Sequence, residues 1–222
     1  MEYWENYNNE LLKLSEKLII HNLKNEFNFV ETNLYNHVHD ILVLSILLLG
    51  PNNQKSILDY GSNIIPWSNI CNKIDVGNLK VTIFDPFSVD NKKIKLSEKF
   101  FVKIVNSKNY LDINNYDFLI FGSSSQYINN FSEILDSEIL LKCNLVLFTH
   151  TPLSKKATFN SNQYTGYKGN QIIRSFKYLV RKMKKNNFDL IFKSIMPAEL
   201  ASVDTEKVNI TIYSNLLFKK NL

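Results

Sequence analysis

A doubly wound α/β sheet of seven mostly parallel strands, with helices on both faces and a helical extension at the N-terminus, is the fold class this sequence predicts. Three observations carry it. From residue 53 onward, short runs rich in Ile, Val, Leu and Phe alternate with longer segments that read as helical. The first fifty residues instead keep a helical period throughout. And 45% hydrophobic residues in a chain of 222 suffice for one sizeable core. Residues 1–52 therefore read as an extension and 53–222 as the core of a single domain.

Each element follows from its own pattern. Trp4, Tyr7, Leu11, Leu14 and Leu18 recur at three- and four-residue steps, one face of a helix. A second helix starts with Asn33 as N-cap, carries Leu34, Val38, Ile41, Ser45 and Leu48 on one side, and stops at Gly50-Pro51. Strands are expected at Ser56–Tyr60, Lys80–Phe84, Phe100–Val105, Asp117–Phe121, Asn144–Phe148, Leu190–Ile195 and Val208–Ser214. Helices fall at Trp67–Lys73, Asn130–Leu141 and Asn170–Asn187. The last has Ile172, Ile173, Phe176, Leu179, Val180 and Met183 on its apolar face, and Arg174, Lys177, Arg181, Lys184 and Lys185 on a solvated back. Two late strands without a helix between them give a count more particular than a generic Rossmann-like sheet.

Charge and cysteine usage exclude several classes. The net charge of +5 suits an anionic partner, but no block of five or six basic residues occurs, so nucleic acid is not the expected partner. Cys71 and Cys143 stand far apart with no CxxC, which reads as reduced core thiols and no zinc site. The run Ile41–Leu49 is far shorter than the ~20 residues that span a bilayer. Glu2, Glu5 and Glu10 stand where a signal peptide would be basic, so a cytoplasmic protein is expected. His37 and His39 are two residues apart and cannot share one helix face, which disfavours a metal pair.

Four stretches carry chemistry. In Ser56-Ile-Leu-Asp-Tyr-Gly-Ser-Asn63 a buried strand ends in Asp59, Tyr60 and Gly61, followed by Ser62 and Asn63. The glycine permits a tight turn and close ligand approach. Asp59 is placed to accept hydrogen bonds from that turn or from a ligand amine. About 25 residues on, Asp85-Pro86 ends the next strand, where an acid holds a nucleoside ribose. After the strand that follows Tyr116 come Gly122, Ser123, Ser124, Ser125 and Gln126, which put hydroxyls and amides at the carboxyl edge of the sheet. Finally, His150-Thr151-Pro152 follows another strand, where a histidine can act as general base, orient an acceptor or cap the loop. The polar, aromatic segment Ser154–Gly169, with Gln163 and Tyr164, reads as a long functional loop suited to a sugar or nucleoside.

With these residues in view, the sequence resembles class I S-adenosylmethionine-dependent methyltransferases, and more narrowly a group associated with bacterial surface-polysaccharide genes. The resemblance covers most of Ser56–Ile195. It rests on Leu58-Asp-Tyr-Gly-Ser62, Phe121-Gly-Ser-Ser-Ser-Gln-Tyr-Ile128, and Thr149-His-Thr-Pro-Leu153 with Thr158 and Gln163. It implies S-adenosylmethionine as cofactor, held by Asp59, Tyr60, Gly61, Ser62, Asn63, Asp85, Pro86, Ser123, Ser124 and Gln126. A small, carbohydrate-derived hydroxyl acceptor would meet Thr151, Gln163 and Tyr164, with His150 as base. Two departures stand out: Ser62 to Pro66 replace a glycine-rich stretch, and His150 stands where the group has arginine. A nucleic-acid methyltransferase and a catalytically silent binding module on the same fold are the alternatives.

Overall fold

In the computed structural model, the described residues are 33–50, 54–62, 64–73, 77–88, 91–111, 116–162, 170–196 and 209–221. The helix expected over residues 4–18 lies outside them. The chain divides into two compact units, Met1–Asp112 and Ile113–Leu222.

The first unit opens with helix α1 (Asn33–Leu48), which buries Ile41, Leu42 and Ile46 and carries His37 and His39. Strand β1 (Lys55–Tyr60) pairs in parallel with β2 (Leu79–Phe84), and β2 in parallel with β4 (Phe100–Val105). Helix α2 (Ile65–Lys73) makes the β1-to-β2 crossover, with Pro66 in its first turn where a missing N–H costs nothing. Trp67 is fully buried, its ring edge-on to Phe100 at 6.2 Å. Between β2 and β4 the chain forms β3 (Lys92–Ser97), antiparallel to β4 and at the edge of this sheet. Lys93 and Lys95 on β3 are exposed.

In the second unit, β5 (Phe118–Gly122) pairs in parallel with β6 (Leu145–Ser154). The long β10 (Thr211–Lys220) runs antiparallel to β6 on one side and to β9 (Phe188–Met196) on the other. Strand β8 (Asn170–Ser175) pairs in parallel with the end of β6 and antiparallel with β7 (Phe159–Asn162). Helices α3 (Phe131–Leu135) and α4 (Glu138–Lys142) follow β5, and α5 (Phe176–Lys185) joins β8 to β9. Phe121 and Phe148 stack at 5.0 Å, and Phe131 meets both edge-on at 5.2 and 6.0 Å, an aromatic centre for this unit.

The α/β class with parallel central strands is as expected, but the strand count is ten among the described residues, not seven. The additions are β3, β7 and β8. Strand β3 alternates lysine with Ile94 and Leu96, and that half-polar pattern does not register as a buried run. Residues Asn170–Ser175 are strand rather than the first turns of a helix; α5 begins at Phe176, so Ile172, Ile173 and Arg174 belong to β8. The expected helix Asn130–Leu141 is two short helices broken at Asp136-Ser137. Strand β6 runs through His150 to Ser154 instead of stopping at Phe148, and part of the expected Ser154–Gly169 loop is β7. Both cysteines are free thiols, and no helix among the described residues is long and apolar enough to cross a membrane.

Candidate functional site

In the first unit, β1 and β2 end side by side, Asp59 in register with Ile83 and Tyr60 with Phe84. Gly61 turns the chain at φ 83°, and its N–H donates to Phe84 O at 2.8 Å. Asp59 is 2% exposed; its Oδ2 accepts from Trp67 Nε1 at 2.8 Å, while Oδ1 has no hydrogen-bond partner among the described residues. Burial pushes this carboxyl up to about 7, against hydrogen bonds from Trp67 and Ser62 that pull it down. A buried acceptor at the carboxyl end of a parallel strand is where an open α/β sheet meets a ligand. Asp85 directly follows β2 and is also buried. Its Oδ1 accepts from the Phe87 N–H at 3.0 Å, closing the turn that Pro86 opens, and burial raises its pKa. The Tyr60 ring packs on Phe84 at 4.6 Å, and its hydroxyl pKa is raised by burial to about 12. Ser62 is half-buried beside Gly61, and Asn63 lies outside the described residues.

In the second unit, two non-glycine residues with positive φ lie close together, one just past the end of β5 and one within β6. Ser123 (φ 54°) follows Gly122, whose register partner is Thr149; His150 (φ 47°) is the next residue on β6. The β6–β10 ladder slips here: Thr151 faces Ser214 and Phe148 faces Leu216, so Thr149 and His150 stand against Asn215 alone. This is a β-bulge, a device that re-aims a side chain. The His150 N–H donates to Asn215 Oδ1 at 2.9 Å, and Asn215 Nδ2 donates to Ser194 Oγ at 3.0 Å. On the other side, β5 is in register with β6 as far as Thr149, and the last two residues of β8, Arg174 and Ser175, are in register with Leu153 and Ser154, so the two pairings leave a gap along His150 to Pro152. Pro152, which has no N–H to offer, fits this gap.

Gln126 braces the serine turn: its Nε2 donates to Ser123 O at 2.8 Å, while Oε1 is buried with no partner among the described residues. Ser124 is buried. The Thr151 hydroxyl turns inward and donates to Thr149 O at 3.2 Å. Gln163 and Tyr164 lie outside the described residues. Arg174, expected on a solvated helix back, is instead 7% exposed. Its Nη1 donates to Ser125 O at 2.6 Å and its Nη2 to Ile128 O at 2.5 Å, with the guanidinium 4.4 Å above the Phe131 ring. Burial lowers its pKa to about 10.

No protein-family model and no curated protein matches this sequence. Solved structures do. The [4+2]-cyclase SpnF matches at TM-score 0.55 and 15% identity, over 84% of this chain and 80% of that one. Magnesium protoporphyrin IX methyltransferase (ChlM) from Synechocystis PCC 6803, with bound S-adenosylhomocysteine, matches at 0.52 and 10%, over 98% and 99%. The N-terminal domain of EvdMO1, solved with S-adenosylhomocysteine and D-fucose present, matches at 0.51 and 6%, over 89% and 91%. The chain has the fold of the S-adenosylmethionine-dependent methyltransferases. On the methyltransferase fold, Asp59 and Asp85 stand at the ends of β1 and β2 in the first unit, and in the second Ser123 follows β5 while His150 sits at the bulge within β6. Trp67 holds Asp59 and Asn215 holds His150, while Arg174 holds the carbonyls of Ser125 and Ile128 beyond the serine turn; none of the three lies in the sequence motifs. Arg174 and Asn215 act on residues 46 to 65 positions away, which no local pattern reveals.

Proposed function

We propose that this chain binds S-adenosylmethionine and transfers its methyl group to a hydroxyl of a small, carbohydrate-like acceptor. The observation that carries the reading is the pair of buried carboxylates, Asp59 and Asp85, ending adjacent parallel strands on a methyltransferase fold. When bound, the cofactor supplies an activated methyl group. Asp59 Oδ1 is a buried acceptor that fits the ammonium of its methionine part, with the Gly61 turn admitting the backbone closely. Asp85 holds the ribose hydroxyls. Gln126 Oε1 is an acceptor that fits an exocyclic amine. His150 takes the proton of the acceptor hydroxyl, aimed by the bulge at Asn215. The carbohydrate class is supported by the segment following His150, rich in Asn, Ser and Tyr, and by the likeness to a domain solved with D-fucose.

The test is calorimetry with S-adenosylhomocysteine. Asp85→Ala removes charge-assisted hydrogen bonds worth roughly 1.5–3 kcal/mol. Affinity should fall about ten- to a hundred-fold. Unchanged affinity in a folded variant removes Asp85 from the site, and no binding by the unaltered protein removes the reading.

A further inference from the structure

Within the second unit, the β7–β8 hairpin and the turn after β5 enclose a cleft of about 370 Å³. It is lined by Asn129, Asn160, Ser161, Asn162, Asn170 and Ile172. The strand register explains why so many amides meet there. Asn160 pairs with Ile172 and Asn162 with Asn170, and residues directly opposite or two apart share one face of a ribbon. Asn129 faces them from the segment that follows Ser125–Tyr127. The chain is rich in asparagine throughout, so the number of amides says little; their convergence on one face says more. Asparagine is a poor strand residue, and exposed Asn160, Asn162 and Asn170 do nothing for the core.

We propose that this cleft is a binding site for a neutral, polyhydroxylated ligand of about one sugar ring. Among the described residues its lining is amide, hydroxyl and aliphatic, with no charged side chain, a surface that matches a neutral ligand better than a phosphate or a carboxylate. Each amide presents both donor and acceptor, as each hydroxyl does. Half-buried Ile172 offers apolar surface for the C–H face of a ring. The volume lies at the small end of the roughly 300–1,000 Å³ typical of ligand pockets. The two walls are also tied together. Arg174, on the same strand as Asn170 and Ile172, holds the carbonyls of Ser125 and Ile128, and Ile128 directly precedes Asn129. A wall fixed before binding spares the ligand the cost of ordering it. That the occupant is the acceptor rests on the methyl-transfer reading above; that the cleft binds a sugar does not.

Asparagine side-chain amides give their own NMR signals, so the site reports on itself. Titration with D-fucose, D-glucose and N-acetyl-D-glucosamine, without cofactor, should shift the side-chain signals of Asn129, Asn160, Asn162 and Asn170 for at least one sugar. Asn162→Val and Asn170→Thr, at exposed positions, should each weaken that sugar at least tenfold while leaving the melting temperature and S-adenosylhomocysteine affinity unchanged. Sugar binding that survives both substitutions, or no shift at these amides with any of the three, overturns the proposal. A response to cytidine or adenosine in place of sugars overturns it in favour of a nucleobase site. Sugar binding in a protein that does not bind S-adenosylhomocysteine upholds the cleft and overturns the methyl-transfer reading instead.

Discussion

The side chain of Asn215 accepts the backbone N–H of His150 at 2.9 Å from across the β6–β10 ladder, at the one place where that ladder slips. The bulge and the positive φ of His150 are therefore held by an amide 65 residues away in sequence. Asn215 is 3% exposed and also donates to Ser194, so both ends of its amide are engaged.

Asn215→Ala should lower turnover about tenfold without changing cofactor affinity, because it acts through the backbone of the histidine base. Asn215→Asp keeps the acceptor and should restore most of the rate. The readout is the pH–rate profile. The limb set by a histidine base should shift in the alanine variant and return in the aspartate one. A profile identical in all three proteins makes Asn215 a packing residue only.

His150→Gln removes the base and should lower turnover at least about a hundredfold, within the range general-base loss usually costs. His150→Gly tests the backbone separately. Glycine accepts φ 47° without steric cost, so this variant should be as stable as the parent, or more so by about 1 kcal/mol, while equally inactive. Urea denaturation and initial rates decide together. A glycine variant that is markedly less stable would mean that the imidazole holds the fold.

Asp59 gives the stability a pH dependence of definite sign. Its folded pKa of about 7 lies above its ordinary value of 3.8, so the folded state binds the proton more tightly. Stability is greatest below about pH 4, falls as pH rises toward 7, and levels off above that. The full difference is on the order of 4 kcal/mol at most. Asp59→Asn keeps an acceptor for Trp67 and has nothing to titrate. Its melting temperature should exceed that of the parent at pH 8 and lose this slope between pH 4 and 7. A parent protein equally stable at pH 5 and pH 8 would refute the buried neutral acid.

Arg174→Met keeps the aliphatic stem but leaves the carbonyls of Ser125 and Ile128 without their guanidinium donors. Leaving such groups unsatisfied costs about 1–3 kcal/mol each, offset in part by relief from burying a cation. A net loss of about 2 kcal/mol is expected from chemical denaturation. Arg174→Lys should not rescue it, because one ammonium cannot reproduce the planar fork. If lysine restores full stability, the fork geometry is irrelevant.

The buried strands β1, β2, β4, β5 and β6 were legible because each is a largely apolar run giving way to small or polar residues. The acids Asp59 and Asp85 and the serines after β5 stand at the strand ends the sequence indicated. Strand β8 was not legible: Ile172-Ile173 followed by Phe176 and Leu179 fits a helical period as well as it fits strand then helix, and only pairing with β7 decides. The same helical period puts Arg174 on a solvated face, whereas β8 buries it. The bulge at His150 could not be read from β6 at all, since it is a mismatch between two strands.

Strand β3 lies at the edge of its sheet with Lys93 and Lys95 turned outward. An open edge invites another strand, and positive charge along it repels a second copy of the same edge. Chemistry that erases those charges should therefore unmask stickiness that the native protein lacks. Acetylation of the lysines is expected to promote aggregation through this edge, whereas reductive methylation, which keeps the charge, is not.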